Sequence, residues 1–112
     1  MGAYGEEIAV RFLLDRGFTL VDRNWRCRHG EIDAVFTDQD AIVFVEVKTR
    51  RGLGFGAPAE AVDPRKVARL RRLAALWLAA HNTHADVIRF DVVAVLADGR
   101  RAPSVQHLLG VL

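Results

Sequence analysis

Three acids and a lysine are spaced so that they can share one site. Asp33 falls in the run Glu31 to Thr37, where Ile32, Ala34 and Phe36 alternate with Glu31, Asp33 and Val35 at the period of a β-strand. In Ala41 to Thr49, one face presents Ile42, Phe44, Glu46 and Lys48 while Val43, Val45 and Val47 occupy the other. A strand apolar on both faces is central and covered, so Glu46 and Lys48 stand at the rim of a core. Asp38, Gln39 and Asp40 supply turn chemistry between the two runs. Across the resulting hairpin, opposed Cβ atoms lie about 4.5 to 5.5 Å apart, which puts Asp33 within reach of Glu46. Glu6 enters from a helix: at about 100° per residue it projects with Ala9, Val10 and Leu13, toward the protein. Carboxylates this close repel unless one takes a proton or a divalent cation lies between them. Oxygen donors without imidazole or thiolate favour Mg²⁺ or Mn²⁺ over zinc.

Each of these residues also has a plainer role. Glu46 and Lys48 could form a strand-end ion pair worth about 0 to 1 kcal/mol. Glu6 could favour a helix N-terminal dipole at roughly 0.3 to 1 kcal/mol. Glu31 shares the strand face of Asp33 and could be supporting or structural. Asp91 sits between Phe90 and Val92 with Arg89 as its expected ion-pair partner. His81 and His84 follow a helix end without a third ligand nearby and read as exposed side chains. Trp77 belongs to a helical stripe and to the core, whereas Trp25, between Asn24 and Arg26, is the better candidate for stacking on a base.

The elements that must position these groups follow from periodicity. Tyr4 to Arg16 carries Ile8, Ala9, Val10, Phe12, Leu13 and Leu14 on one arc and Glu7, Arg11 and Asp15 opposite, an amphipathic helix closed by Gly17. A short strand, Phe18 to Asn24, precedes the hairpin. Gly52, Gly54, Gly56 and Pro58 leave two possibilities open, a short strand around Leu53 to Ala57 or a mobile loop over a site. Asp63-Pro64 starts a second helix, whose buried stripe is Val67, Leu70, Leu73, Ala74, Trp77 and Leu78, ending near Asn82. Arg89 to Leu96 is a further strand, Asp98-Gly99 turns the chain, and Ser104 to Leu109 is a last short segment. Helix, strand meander, helix, strand is the order of an α/β fold with a mixed β-sheet flanked by helices.

Composition narrows the class. With 112 residues, 51% of them hydrophobic and 27% charged, the chain has the balance of one globular domain spanning 1–112. No stretch approaches the length of a membrane span and the start carries no secretory pattern, so a cytoplasmic protein is expected. Cys27, the single cysteine, rules out an internal disulfide or a cysteine-built zinc site. The net charge is only +2, yet Arg23, Arg26 and Arg28 precede the first acidic motif and Lys48, Arg50 and Arg51 follow the second, which suits a phosphate-bearing partner. Of the 16 basic residues only Lys48 and Lys66 are lysines. In an arginine-rich background, a lysine marks a place that wants a compact or titratable ammonium.

Gly30-Glu31-Ile32-Asp33, a gap of twelve residues and Glu46-Val47-Lys48 together resemble the signature of the PD-(D/E)xK nuclease superfamily. Ile32 stands where that formula has a proline, a departure that removes no ligand. More narrowly, the chain resembles the YraN family of small bacterial proteins. That likeness rests on Gly5-Glu6, Ala9, Gly17-Phe18, Asn24, Gly30 to Asp33, Phe44 to Arg50, Phe55-Gly56, Pro58, Lys66 and Arg89 to Val93. The resemblance implies a restriction-endonuclease-like core related to archaeal Holliday junction resolvases, and an endonuclease acting on branched or otherwise structured DNA. It implies Mg²⁺ (or Mn²⁺) held by Asp33, Glu46, the Val47 carbonyl and Glu6, with Lys48 orienting the nucleophile and stabilising phosphoryl charge. Arg26, Arg50, Arg51 and Lys66, with Trp25, would position the nucleic acid. A binding module of the same fold, cutting weakly or only with a partner, is the alternative. A homodimer or a repair-protein partner is expected because so small a chain cannot encircle DNA.

Overall fold

Alternating and doubly apolar runs pair into the first three strands of a sheet: β1 (Thr19–Cys27), β2 (Gly30–Asp38) and β3 (Ala41–Arg51). The computed structural model of the chain describes residues 2–51, 63–97 and 102–111. The segment around Leu53 to Ala57, for which a strand or loop was expected, and the Asp98-Gly99 turn lie outside them. β2 and β3 are antiparallel, and Gln39 closes their turn with φ 55°. Helix α2 (Pro64–Ala80) carries the chain back, so β4 (Val87–Ala97) runs parallel to β3, and β5 (Ser104–Leu108) returns antiparallel to β4. The sheet is five-stranded, mixed and ordered β1-β2-β3-β4-β5. With α1 (Gly2–Asp15) on one face and α2 on the other, this is the α/β arrangement of a restriction-endonuclease-like core.

β3 is covered on both sides, as its residues require. Val43 and Val45 pack with Ala9, Val10 and Leu13 of α1, while Ile42 and Phe44 pack with Leu70, Leu73, Ala74 and Trp77 of α2. Burying each of the Val, Leu, Ile and Phe side chains among these contributes on the order of 1.5 to 3 kcal/mol. Leu14 lies at the margin of the α1 arc and is exposed, in contrast to its periodicity. α2 begins as its sequence dictates: Asp63 is the N-cap and accepts from the Arg65 N–H at 2.8 Å, with Pro64 in the first turn. Trp77 finds a partner for its indole N–H in Asp22, at 2.9 Å. No helix among the described residues is long and apolar enough to cross a membrane.

Two local differences follow from backbone geometry. β1 extends through Cys27 instead of ending at Asn24, because Cys27 still pairs with Gly30 across a tight turn. Trp25 and Arg26 are therefore strand residues. In β2, strict alternation would place Ile32 with Ala34 and Phe36, yet Ile32 packs in the α2 cluster and the other two pack in the α1 cluster. The side-chain period breaks between Ile32 and Ala34, at Asp33.

Asp91 is fully buried and serves as a structural hub. Arg89 donates to both of its oxygens at 3.0 Å, His107 Nε2 lies 2.7 Å away, and the Gly110 N–H donates at 2.9 Å. Burial alone would raise the Asp91 pKa, but the bonds to His107, Arg89 and Gly110 prevail and hold it below the usual carboxylate range. Arg89 also reaches Asp38 at 3.1 Å, tying β4 to the β2–β3 turn.

Candidate metal centre

The break at Asp33 builds the site. The β2–β3 ladder ends at Ala34 opposite Val45, and beyond it the Asp33 carboxylate takes the place of a backbone acceptor, receiving the Val47 N–H at 2.8 Å. On the other flank, Asn24 lies between the β1–β2 pairs Arg23 with Ala34 and Trp25 with Ile32, and has φ 52°. Asparagine enters this left-handed region at lower cost than most residues. Its side chain bonds the Glu6 carboxylate.

α1 approaches β3 closely because Gly5 has no side chain. A Cβ built there would collide with the Thr49 hydroxyl. That close approach brings Glu6, one residue on, to the sheet, where carboxylate oxygens of Glu6, Glu31 and Asp33 lie within 4.8 Å of one another. Two of the three, Glu6 and Asp33, are shifted by burial first and then by neighbouring acids. Burial raises the Asp33 pKa, and the Glu6, Glu46 and Glu31 carboxylates add to this; against the Val47 hydrogen bond, Asp33 is pushed up to about 6. Glu6 is raised by burial and then by Glu31, with Arg23, Asn24 and Arg26 opposing.

Glu46 stands outside that trio but close enough to act on Asp33. Its side chain is only 14% exposed. Oε1 lies 3.6 Å from the Arg69 guanidinium, and Oε2 is buried with no hydrogen-bond partner among the described residues. Two residues further, Lys48 meets Lys66 of α2. That contact, then burial and the neighbouring positive charges, lowers the Lys48 pKa, against the pull of Glu46.

The remaining sequence candidates are distributed unevenly. Arg26 donates to Glu31 at 2.6 Å. Arg50 is exposed beside the Thr49 carbonyl, at 3.5 Å, and the Arg51 side chain lies outside the described residues. Trp25 is partly buried at the margin of the α2 cluster, its ring 6.2 Å from that of His81. Val47 engages the site through its N–H. His81 caps α2, with Nδ1 2.8 Å from the Trp77 carbonyl and its ring stacked on Trp77 at 4.1 Å, while His84 is exposed. Two participants were not given their full weight by sequence reasoning. Glu31 is an equal member of the trio, a role that its shared parity with Asp33 allowed. Asn24 entered the sequence reading only as the end of the first strand and as one residue of the family resemblance.

Comparison with known proteins places this chain in a family. The family model described as "Uncharacterised protein family UPF0102" matches residues 5–95. The chain belongs to the UPF0102 family. It is 57% identical over 111 residues to a UPF0102 protein of Beutenbergia cavernae, covering 99% of this chain and 94% of the relative. A Nocardia farcinica UPF0102 protein is 56% identical over 111 residues, with 99% and 87% covered. One from Mycolicibacterium smegmatis is 53% identical over 113 residues, with 99% and 91% covered. This is the family resembled above under the name YraN. The stretch matched to UPF0102 contains Glu6, Asn24, Glu31, Asp33, Glu46, Lys48 and Lys66.

Proposed function

We propose that the chain is a metal-dependent endonuclease that hydrolyses phosphodiester bonds in DNA, with branched or otherwise structured DNA as the substrate class. One observation carries this reading: carboxylate oxygens of Glu6, Glu31 and Asp33 lie within 4.8 Å of one another, a span that a single cation could bridge. Two of these acids have raised pKa values, through burial first and then through the neighbouring carboxylates, and a divalent cation would offset both costs. The unpartnered Oε2 of Glu46 adds a further oxygen. An all-oxygen set of this charge fits Mg²⁺ or Mn²⁺. Asp33, Glu6 and Glu46 would hold the ion with the Val47 carbonyl, and Glu31 would join them.

A bound ion of this kind supplies Lewis acidity and charge neutralisation to phosphoryl transfer. Lys48 contributes an ammonium to the phosphoryl oxygens as their charge grows. Lys66 holds a second positive charge against it, and Arg50 and Arg51 add charge for the adjoining backbone phosphates.

A second reading, a DNA-binding module with weak or partner-dependent catalysis, draws support from Arg26 on Glu31 and Arg69 on Glu46. Those contacts neutralise two acids with the chain's own cations. The two readings separate in one experiment, cleavage of labelled branched, flapped, single-stranded and duplex DNAs with Mg²⁺ or Mn²⁺, beside Asp33→Asn and Lys48→Ala. The nuclease reading expects metal-dependent cleavage that falls roughly 10²-fold or more in each variant. Cleavage unchanged in both sinks it, and binding without cleavage in the wild type selects the module.

A further inference from the structure

Apart from Lys66, the outer surface of α2 carries charge that the proposed chemistry does not use. Between Pro64 and Ala80 stand Arg65, Lys66, Arg69, Arg71 and Arg72, with no acid among them. A solvated helix face ordinarily mixes signs at i,i+4, because like charges there destabilise the helix. Here Arg65 and Arg69 are spaced i,i+4. Arg65 and Lys66 also lie in the first turn, where positive charge opposes the helix dipole. Asp63, the N-cap, offsets only part of this. A helix that accumulates such unfavourable terms is suited to a polyanion.

The arginines are also sorted by flank. At about 100° per residue, Arg65, Arg69 and Arg72 fall within an arc of roughly 60°. Arg69 reaches Glu46, so this arc borders the candidate metal centre. Arg71 projects to the opposite flank, over the Phe90 ring of β4 at 5.0 Å. Arg65, Arg69 and Arg72 are exposed, and Lys66 turns inward to Lys48. From Arg65 to Arg72 the helix rises roughly 10 Å, about the axial rise of three base pairs of a duplex.

We propose that the flank of α2 formed by Arg65, Arg69 and Arg72 is the track for one backbone strand of a DNA duplex, leading it to Lys66 and Lys48 at the metal centre. This rests on the nuclease reading and adds to it the direction from which the substrate enters. Each charge that contacts a phosphate releases counterions and contributes about 0.9 to the slope of log affinity against log salt.

The test is fluorescence anisotropy of a short labelled DNA duplex across a salt series, with Ca²⁺ replacing Mg²⁺ so that binding is read without cleavage. Arg65→Ala/Arg72→Ala is compared with wild type, with the charge-retaining Arg65→Lys/Arg72→Lys, and with Arg11→Ala/Arg16→Ala on α1. The expected result for the alanine pair is a slope reduced by about 1.8 and binding weaker by on the order of tenfold or more at moderate salt. The lysine pair and the α1 pair should keep the wild-type slope. A wild type that cleaves with Mg²⁺ while the alanine pair keeps its full slope overturns the track alone. An equal loss in the α1 pair also overturns it, since binding would then follow net charge. A wild type that neither binds nor cleaves overturns the nuclease reading and the track together.

Discussion

Replacing Asp33 by asparagine should make the metal-free protein more stable at neutral pH. Asp33 has its pKa raised from an ordinary 3.8 to about 6, chiefly by burial and then by the Glu6, Glu46 and Glu31 charges. A raised folded-state pKa means that Asp33 contributes its stability in full below about pH 4. That contribution is lost as pH rises through about 6. At 1.36 kcal/mol per pKa unit the loss amounts to roughly 3 kcal/mol, and relaxation around a partly solvated group brings it to about 2 to 3. The asparagine side chain carries no charge to repel its neighbours and its carbonyl can still accept the Val47 N–H, so the variant escapes this penalty. For a chain of this size the gain corresponds to a midpoint higher by roughly 10 °C.

The assay is thermal and urea unfolding of both proteins in chelator from pH 4 to 8. The stability difference should be smallest at the acid end, grow up to about pH 6, and stay level above it. Adding Mn²⁺ near 100 times its dissociation constant should return about 2.7 kcal/mol to the wild type and far less to the variant. A variant no more stable than wild type at pH 7.5 in chelator, or a difference that does not change with pH, refutes the electrostatic account of the trio.

Two substitutions away from the acids probe how the site is held. Gly5→Ala places a methyl group against the Thr49 hydroxyl, so α1 must move off β3; a loss of about 1 to 3 kcal/mol in urea unfolding is expected, with weaker Mn²⁺ stabilisation because Glu6 moves too. Asp91→Ala leaves Arg89 and His107 without their shared buried partner and should cost about 3 to 5 kcal/mol, read by the same unfolding curves, with the Mn²⁺ response of the remaining folded protein intact.

The sheet and its two helices were legible because β3 is apolar on both faces, a pattern that only a covered central strand satisfies. The Asp63-Pro64 helix start was equally direct, since a side-chain cap followed by proline has few other uses. What periodicity could not supply was the interruption at Asp33. Period-2 reasoning assumes that a ladder continues, and it therefore set Asp33 simply beside Glu46. In the fold the ladder stops at Ala34, the carboxylate itself receives the Val47 N–H, and Asp33 joins Glu6 and Glu31. Such a break arises from contacts between three separate segments, including the close approach at Gly5, and no single strand encodes it.

The two lysines illustrate the reverse case, in which composition carried more than pattern. In a chain that otherwise uses arginine for every positive charge, Lys48 and Lys66 lie against each other, one from β3 and one from α2. Two guanidinium groups in that position would both remain charged at any ordinary pH and could relieve their repulsion only by moving apart. An amine has another course: the contact with Lys66, and then burial, already shift Lys48 toward its neutral form. A contact that would repel two arginines can therefore persist in the unliganded fold with lysines. Lysine at these two positions suits a contact that must be stable in the unliganded fold, and on the proposed nuclease reading it still offers positive charge to a phosphate.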